Sequence, residues 1–253
     1  MPLALVRRPG PKLAEGLLTH QERVPIDIDL AARQWETYVE ALHNAGWEVT
    51  EVDPADRCPD AVFVEDALVL FGDLAVVTRP GAAERRPETE AAERAAEALG
   101  LEMGHITEPA FLDGGDVLKI GRTAYVGVGG RTNAAAIDQL TEMLTPRGWT
   151  VVAVPVAKVL HLKSAVTALP DGTVIGFPDL VDDPTVFPSF LSVPEPSGSH
   201  VVLLDDRTLL MAADAPGSAR LLRDRGYDIV EVDISEFEKL EGCVTCLSVR
   251  HRG

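Results

Sequence analysis

Arg147-Gly148-Trp149-Thr150-Val151-Val152-Ala153-Val154 is the stretch on which the fold turns. Glycine just past a helix accepts the left-handed backbone that closes the last turn, and the β-branched run behind it favours a strand. The same grammar recurs at Ala45-Gly46-Trp47-Glu48-Val49-Thr50-Glu51-Val52-Asp53, Leu99-Gly100-Leu101-Glu102-Met103 and Arg225-Gly226-Tyr227-Asp228-Ile229-Val230-Glu231-Val232-Asp233. It predicts helices near 30–45, 88–99, 133–147 and 216–225. Pro87 and Pro216 suit a first helical turn and Asn133 suits an N-cap.

Paired strand runs precede the later helices: 61–64 with 74–78, 116–120 with 123–127, and 201–204 with 208–211. Gly72-Asp73, Gly121-Arg122 and Asp205-Asp206-Arg207 read as their turns. The long interval between Gly148 and Gly226 holds a further hairpin candidate, Val166–Leu169 with Thr173–Gly176, and a Pro-broken short helix near 184–191. Five ββαβ-like modules result, the N-terminal one incomplete unless the C-terminus supplies its missing strands. Each module leaves an apolar edge for a neighbour to cover, which suggests a closed radial array. A doubly wound sheet is the alternative, but its G-x-G-x-x-G fingerprint is absent after the first strand.

The chain has 253 residues, 46% hydrophobic and 25% charged, as expected of a soluble globular protein with a sizeable core. Its 23 Lys plus Arg against 40 Asp plus Glu give a net charge of −17, which repels nucleic acid and anionic lipid. No apolar run is long enough for a membrane span or signal peptide, so a cytoplasmic protein is expected. Three cysteines, Cys58, Cys243 and Cys246, do not make a disulfide framework.

Ionisable residues interrupt the apolar runs at matched places. Glu65-Asp66 follows Val62-Phe63-Val64, Asp113 follows Phe111-Leu112, and His161 sits between Leu160 and Leu162; 113 − 65 and 161 − 113 are both 48. Each has a plain structural reading, as strand end, turn or core histidine, but at a shared spacing these readings are no longer independent, and equivalent points of a radial array meet at the axis. Arg85-Arg86 and Arg131 stand beside helix starts, against the helix dipole, which favours a carboxylate-binding duty. Cys243-Val244-Thr245-Cys246 is a lone C-x-x-C; structural zinc wants four ligands, and no second C-x-x-C or H-x₃₋₅-H exists. A cysteine with a distant His and acid remains as a constellation for nucleophilic catalysis.

Taken in order, Pro59–Asp66, Thr78–Ala82 with Arg85-Arg86, Leu112–Leu118, Gly130–Asn133, Leu160–Ser164 and Thr245–Ser248 carry a resemblance over nearly the whole chain. The chain resembles the dimethylarginine dimethylaminohydrolase family, within the guanidino-group-modifying (pentein) superfamily. The resemblance implies an α/β fold, a five-bladed pseudo-symmetric α/β propeller of ββαβ modules, as a single catalytic domain over residues 1–253. It implies a hydrolase that converts N-omega-methylated arginine to citrulline and dimethylamine or methylamine. Cys246 would be the nucleophile and His161 the general acid and base, with Asp113 beside the His and the guanidinium. Asp66, with Glu65 and Asp60 nearby, would bind guanidinium nitrogens, while Arg85 and Arg131 would hold the α-carboxylate. Leu18 matches a lid leucine in the stretch from Gly10 to Pro25, and Leu240 lies where the family offers a backbone contact.

No metal or organic cofactor is implied; zinc would act as an inhibitor by capturing Cys246 and His161. The expected partner is a small molecule, methylated arginine, rather than nucleic acid or membrane, and a homodimer is allowed for. An arginine deiminase-like hydrolase and a non-catalytic propeller binding protein are the alternatives. Gly198-Ser199-His200-Val201 departs from the family's usual Ala-Asn, and the nearness of Cys243 to Cys246 raises oxidative inactivation.

Overall fold

Each glycine expected to stop a helix has left-handed φ in the structure, a computed structural model that describes residues 2–251: 80° at Gly46, 74° at Gly100, 75° at Gly148 and 94° at Gly226. The chain runs β1 (Leu3–Val6), α1 (Ile28–Asn44), β2 (Glu48–Glu51), β3 (Leu68–Phe71), β4 (Leu74–Val77), α2 (Thr89–Ala98) and β5 (Glu102–His105). It continues β6 (Val117–Ile120), β7 (Thr123–Val128), α3 (Ala134–Leu144), β8 (Thr150–Pro155), β9 (Val166–Ala168), β10 (Val174–Gly176) and β11 (Phe190–Ser192). β12 (Val201–Leu203), β13 (Thr208–Ala212), α4 (Pro216–Asp224), β14 (Asp228–Val232), α5 (Ser235–Glu238) and β15 (Ser248–His251) complete it. Asn133 caps α3 by accepting from the Ala136 amide, and Pro216 opens α4.

The strands form five three-stranded sheets, each with a middle strand antiparallel to one neighbour and parallel to the other. The incomplete N-terminal module is closed by the C-terminus: β1 pairs antiparallel with β15, Leu3 opposite His251 and Val6 opposite Ser248. Period-two alternation explains why the array closes. Leu68 and Leu70 of β3 enter one core cluster while Val69 and Phe71 enter the next; Leu210 and Ala212 of β13 part from Leu209 and Met211 in the same way. Every sheet is therefore buried on both faces, and each cluster joins two blades. The fold is the α/β propeller-like arrangement of five modules that the repeat implies.

Two local expectations are corrected. Residues 61–64 are not a strand: Val62 and Val64 are buried, but they lead into a 3-10 turn at Val64–Ala67, and the strand is β3, four residues further on. Apolar runs report burial, and here burial comes without a ladder. The segment near 184–191 is one 3-10 turn, Pro184–Val186, followed by β11 rather than a helix. Pro184 and Pro188 lack the amide hydrogens that an α-helix through this segment would need. Among the described residues no helix is long and apolar enough to cross a membrane.

Candidate active site

Three 3-10 turns, Val64–Ala67, Gly114–Asp116 and Leu162–Ser164, precede the first strands of consecutive blades and pack on one another. Asp66 lies in the first, and Asp113 and His161 stand immediately before the other two. The three turns are equivalent in successive blades, although the equal spacing of 48 runs through Glu65 inside its turn rather than through Asp66. The glycines of Asp113-Gly114-Gly115-Asp116 are demanded by crowding. A Cβ on Gly114 would lie 2.0 Å from the Glu65 carbonyl oxygen, and one on Gly115 2.6 Å from His161 Nδ1 and 2.7 Å from Asp66 Oδ1. Any larger residue would push the imidazole and the carboxylate apart.

His161 is 3% exposed, with Nε2 3.0 Å from Asp113 Oδ2 and Nδ1 3.8 Å from Asp66 Oδ1. Burial alone would depress its pKa, but Asp66, Asp113 and Asp116 reverse that and hold it at about 9. At neutral pH the ring is an imidazolium. Asp66, also buried, falls to about 2, because His161, Arg85 and the Gly115 amide outweigh desolvation. Asp116 is pushed up to about 6 by burial, despite accepting from the Thr132 hydroxyl and the Leu162 amide. Asp113 accepts from the Gly81 amide at 2.8 Å and is fully buried behind the imidazole. It holds His161 without reaching the cavity wall.

Cys246 follows α5 in the turn that leads into β15, its carbonyl accepting from the Glu65 amide at 3.2 Å. Its sulfur lies 3.3 Å from that of Cys243 and 3.4 Å from the Cys243 amide nitrogen. The hydrogen bond between the sulfurs, burial, and the nearby Glu65 and Asp66 carboxylates push the Cys246 thiol up. The two sulfurs share protons, so they titrate as a pair.

One small cavity of about 20 Å³ brings together Cys246, His161, Asp60, Asp66, Arg131 and Leu240. Arg131 reaches it with its guanidinium 3.8 Å from Asp113 Oδ2 and 3.4 Å from Thr19 Oγ1. Three expected members are placed differently. Glu65 turns away: its carboxylate pairs with Lys163 Nζ at 2.6 Å and Arg250 Nη2 at 3.1 Å, on a separate cavity of about 590 Å³. Successive side chains of a 3-10 turn point about 120° apart, so residues 65 and 66 cannot face the same way. Leu18 packs on the core cluster around Trp35 and Phe63, and Leu17 lines the cavity instead, its amide donating to Asp60. Arg85 lines the cavity, with its guanidinium bonded to Glu88, Asp66 and the carbonyls of Asp60 and Phe63. It is held by the acids, whereas Arg131 has the Thr19 hydroxyl and the more distant Asp113 carboxylate beside it. The sequence reading missed Leu17, Leu160, Glu241 and Gly242 on this wall; the acid-glycine pair ahead of Cys243 was the available signal for the last two.

His200 Nε2 donates to the Ser164 carbonyl, 3.0 Å away, so the departure at 198–201 has a structural use. Asp66, Asp113 and His161 each offer one atom within 4.8 Å of the others, a spacing that could hold a cation. With His161 protonated, the cluster already contains its own positive charge, and Cys246 is not a member of it.

A folded-state pKa above the unfolded one supplies stability that is complete below about 6.5 and lost as pH rises through about 9. Such a shift is worth roughly 3 kcal/mol. The melting temperature is therefore expected to fall by about 5–10 °C more between pH 6.5 and 9.5 than in a His161→Gln variant, by calorimetry on both. Parallel curves would show that the ring is neutral in the fold.

The arginine deiminase family profile matches residues 59–202. The N(G),N(G)-dimethylarginine dimethylaminohydrolase of Streptomyces coelicolor is 65% identical over 249 residues, 98% of this chain and 96% of that protein. The enzyme of the same name from Pseudomonas aeruginosa is 32% identical, over 97% of this chain and 98% of that one. A solved structure of the Pseudomonas aeruginosa protein, a cysteine-to-serine mutant complexed with citrulline, superposes with a TM-score of 0.91 at 30% identity, covering 98% of each chain. With full-length likeness in sequence and in fold, the chain belongs to the dimethylarginine dimethylaminohydrolase family of hydrolases, within the pentein superfamily.

Proposed function

We propose that this chain hydrolyses Nω-methylated arginine to citrulline and dimethylamine or methylamine, through a covalent intermediate on Cys246. The observation that carries the reading is that the Cys246 sulfur and the His161 imidazolium stand on the wall of one cavity with Asp60, Asp66 and Arg131. The names of the two relatives, and the citrulline bound in the Pseudomonas aeruginosa structure, support the same substrate class.

A guanidinium carbon is a poor electrophile and water attacks it slowly, so a thiolate is the better nucleophile. The Cys246 thiol is held up by its hydrogen bond with Cys243, by burial and by nearby carboxylates, and the incoming cation adds positive charge that favours its ionisation. Asp60 and Asp66 orient the planar cation, and Arg131 selects an α-carboxylate. Sulfur attack gives a tetrahedral adduct; His161 protonates the departing nitrogen, the C–N bond breaks, and the amine leaves an S-alkylthiouronium. The neutral imidazole then takes a proton from water, hydroxide adds to the same carbon, and the C–S bond breaks to return the thiolate and release citrulline. One water is consumed per amine released. The steps call on no metal or organic cofactor, and zinc across Cys246 and His161 would block them.

The test is product identification with arginine, monomethylarginine and asymmetric dimethylarginine side by side. Citrulline with methylamine or dimethylamine is expected from the two methylated substrates. Citrulline and ammonia from arginine alone would favour the arginine deiminase reading that the family profile allows, and no citrulline from any would sink both.

A further inference from the structure

The sulfur of Cys246 does not stand alone. Cys243 Sγ lies 3.3 Å from it on a residue that is 3% exposed, and the hydrolysis of a guanidinium gives that second sulfur no part. The Cys246 amide donates to the Cys243 carbonyl at 3.1 Å, so the two residues are the ends of one β-turn and their Cα atoms are within about 7 Å. A disulfide asks for Cα atoms about 4.4–6.8 Å apart and sulfurs at about 2.05 Å, so side-chain rotation alone can close the bond.

Packing fixes the backbone around the pair. A Cβ on Gly242 would lie 2.3 Å from the Phe63 ring, Val244 and Thr245 between the cysteines are buried, and the Cys246 carbonyl accepts from the Glu65 amide at 3.2 Å. The hydrogen bond with Cys246, backed by His200 and Thr245, pulls the Cys243 thiol well below the ordinary thiol value against the effect of burial, while the Cys246 thiol is pushed up. One sulfur of the pair therefore ionises more readily than an isolated thiol, and the bridging proton passes between them. Cys246 lines the small cavity and Cys243 does not. A space of about 20 Å³ admits a water, and hydrogen peroxide is little larger, so an oxidant of that size reaches Cys246 where the hydrolytic water does.

We propose that Cys243 is a resolving cysteine: a peroxide oxidises Cys246, and Cys243 captures the product as a Cys243–Cys246 disulfide, a reversible modification that blocks the nucleophile and spares it deeper oxidation. The Cys246 thiolate attacks one peroxide oxygen, the O–O bond breaks and hydroxide leaves, giving a sulfenic acid. The Cys243 thiolate attacks the sulfenic sulfur, the S–O bond breaks and hydroxide leaves again; the protons given up by the two thiols turn both hydroxides into water. Two thiols and one hydrogen peroxide thus give one disulfide and two waters, two electrons passing from sulfur to oxygen. A dithiol reverses the bond by exchange. That the disulfide stops turnover rests on the functional reading above; that it forms does not.

The test exposes the full chain to hydrogen peroxide and reads it by mass after denaturing alkylation and tryptic digestion. Cleavage after Lys239 and Arg250 leaves both cysteines on one peptide. In the wild type that peptide should be unalkylated and two hydrogens lighter than its reduced form, Cys58 should still be alkylated, and dithiothreitol should restore both thiols together with citrulline formation. Cys243→Ser should instead carry oxygen on Cys246, as sulfenic and then sulfinic acid. Its irreversible loss of activity, each protein measured against its own untreated rate, should be at least ~10-fold faster than in the wild type. A wild-type peptide that is unchanged, or that gains oxygen on Cys246 while Cys243 is still alkylated, would overturn the proposal, and so would equal rates of irreversible loss in the two proteins. If Cys243→Ser does not fold, the wild-type peptide decides by itself. A protein that forms the disulfide and keeps its turnover would leave the modification standing and sink the reading of Cys246 as the nucleophile.

Discussion

Cys246→Ser is expected to lower turnover of methylated arginine by at least ~10³-fold, about 4 kcal/mol in the barrier, while the protein stays folded and still binds substrate. Oxygen and sulfur differ little in volume, and Cys246 is buried in a turn whose backbone contacts to Glu65 and Cys243 do not involve the nucleophile's proton. What changes is ionisation. An alkanol is far harder to deprotonate than a thiol, and the site offers no neutral base to compensate, because its imidazole is already protonated up to about pH 9. The substrate's charge, sufficient to draw the proton from a thiol beside it, is not sufficient for a hydroxyl. The measurement is citrulline formation together with calorimetric titration of substrate. Loss of binding in parallel with turnover would mean that the substitution had disturbed the pocket rather than the chemistry, and retained turnover would remove Cys246 from the reaction. Cys58 does not stand in for it. It does not line the cavity, its sulfur faces the Glu84 carbonyl, and burial pushes its thiol up as well.

The comparison of sequence with structure divides along one physical line. What repeats with the blades was legible: the left-handed glycines, the strand that returns from the C-terminus, and the equivalent turns that carry Glu65-Asp66, Asp113 and His161. Those features follow from periodicity and from backbone conformation, and both leave marks in composition. What depends on rotation about a short turn was not. Nothing in Glu65-Asp66 tells which carboxylate faces Cys246, since the two differ only by one step around a 3-10 turn. Leu17 and Leu18 present the same ambiguity in a segment without regular structure. Arg85 illustrates a second limit. Its position beside a helix marks it as a candidate, yet its partners, Glu88 and Asp66 above all, are set by packing and cannot be read from the sequence. Glu241 and Gly242 were marked only by an acid-glycine pair ahead of Cys243, which signals a turn and not a cavity wall.

His161→Gln should lower kcat by ~10²–10⁴-fold, through both halves of the reaction. The first half needs an acid, since a dialkylamine anion does not depart, and the second needs the base that the first half creates. The same residue can serve both because Asp66, Asp113 and Asp116 hold it charged until the substrate nitrogen takes its proton. Glutamine can hydrogen-bond to Asp113 but carries no proton that it can give away. A substrate analogue whose leaving group is a thiol separates the two roles, because a thiolate leaves without being protonated. With that analogue the variant should still form the covalent adduct, visible as a mass increase on Cys246, and should then hydrolyse it slowly. Rapid release of citrulline from the adduct would show that some other group activates water. In wild type, the high imidazole pKa further predicts that kcat holds steady across pH 6.5 and declines only near pH 9, where the acid form is lost. A decline centred near 6.5 would mean that substrate binding displaces one of the acids that sustain the imidazolium, and Asp113, at 3.0 Å and fully buried, is the one on which that outcome would turn.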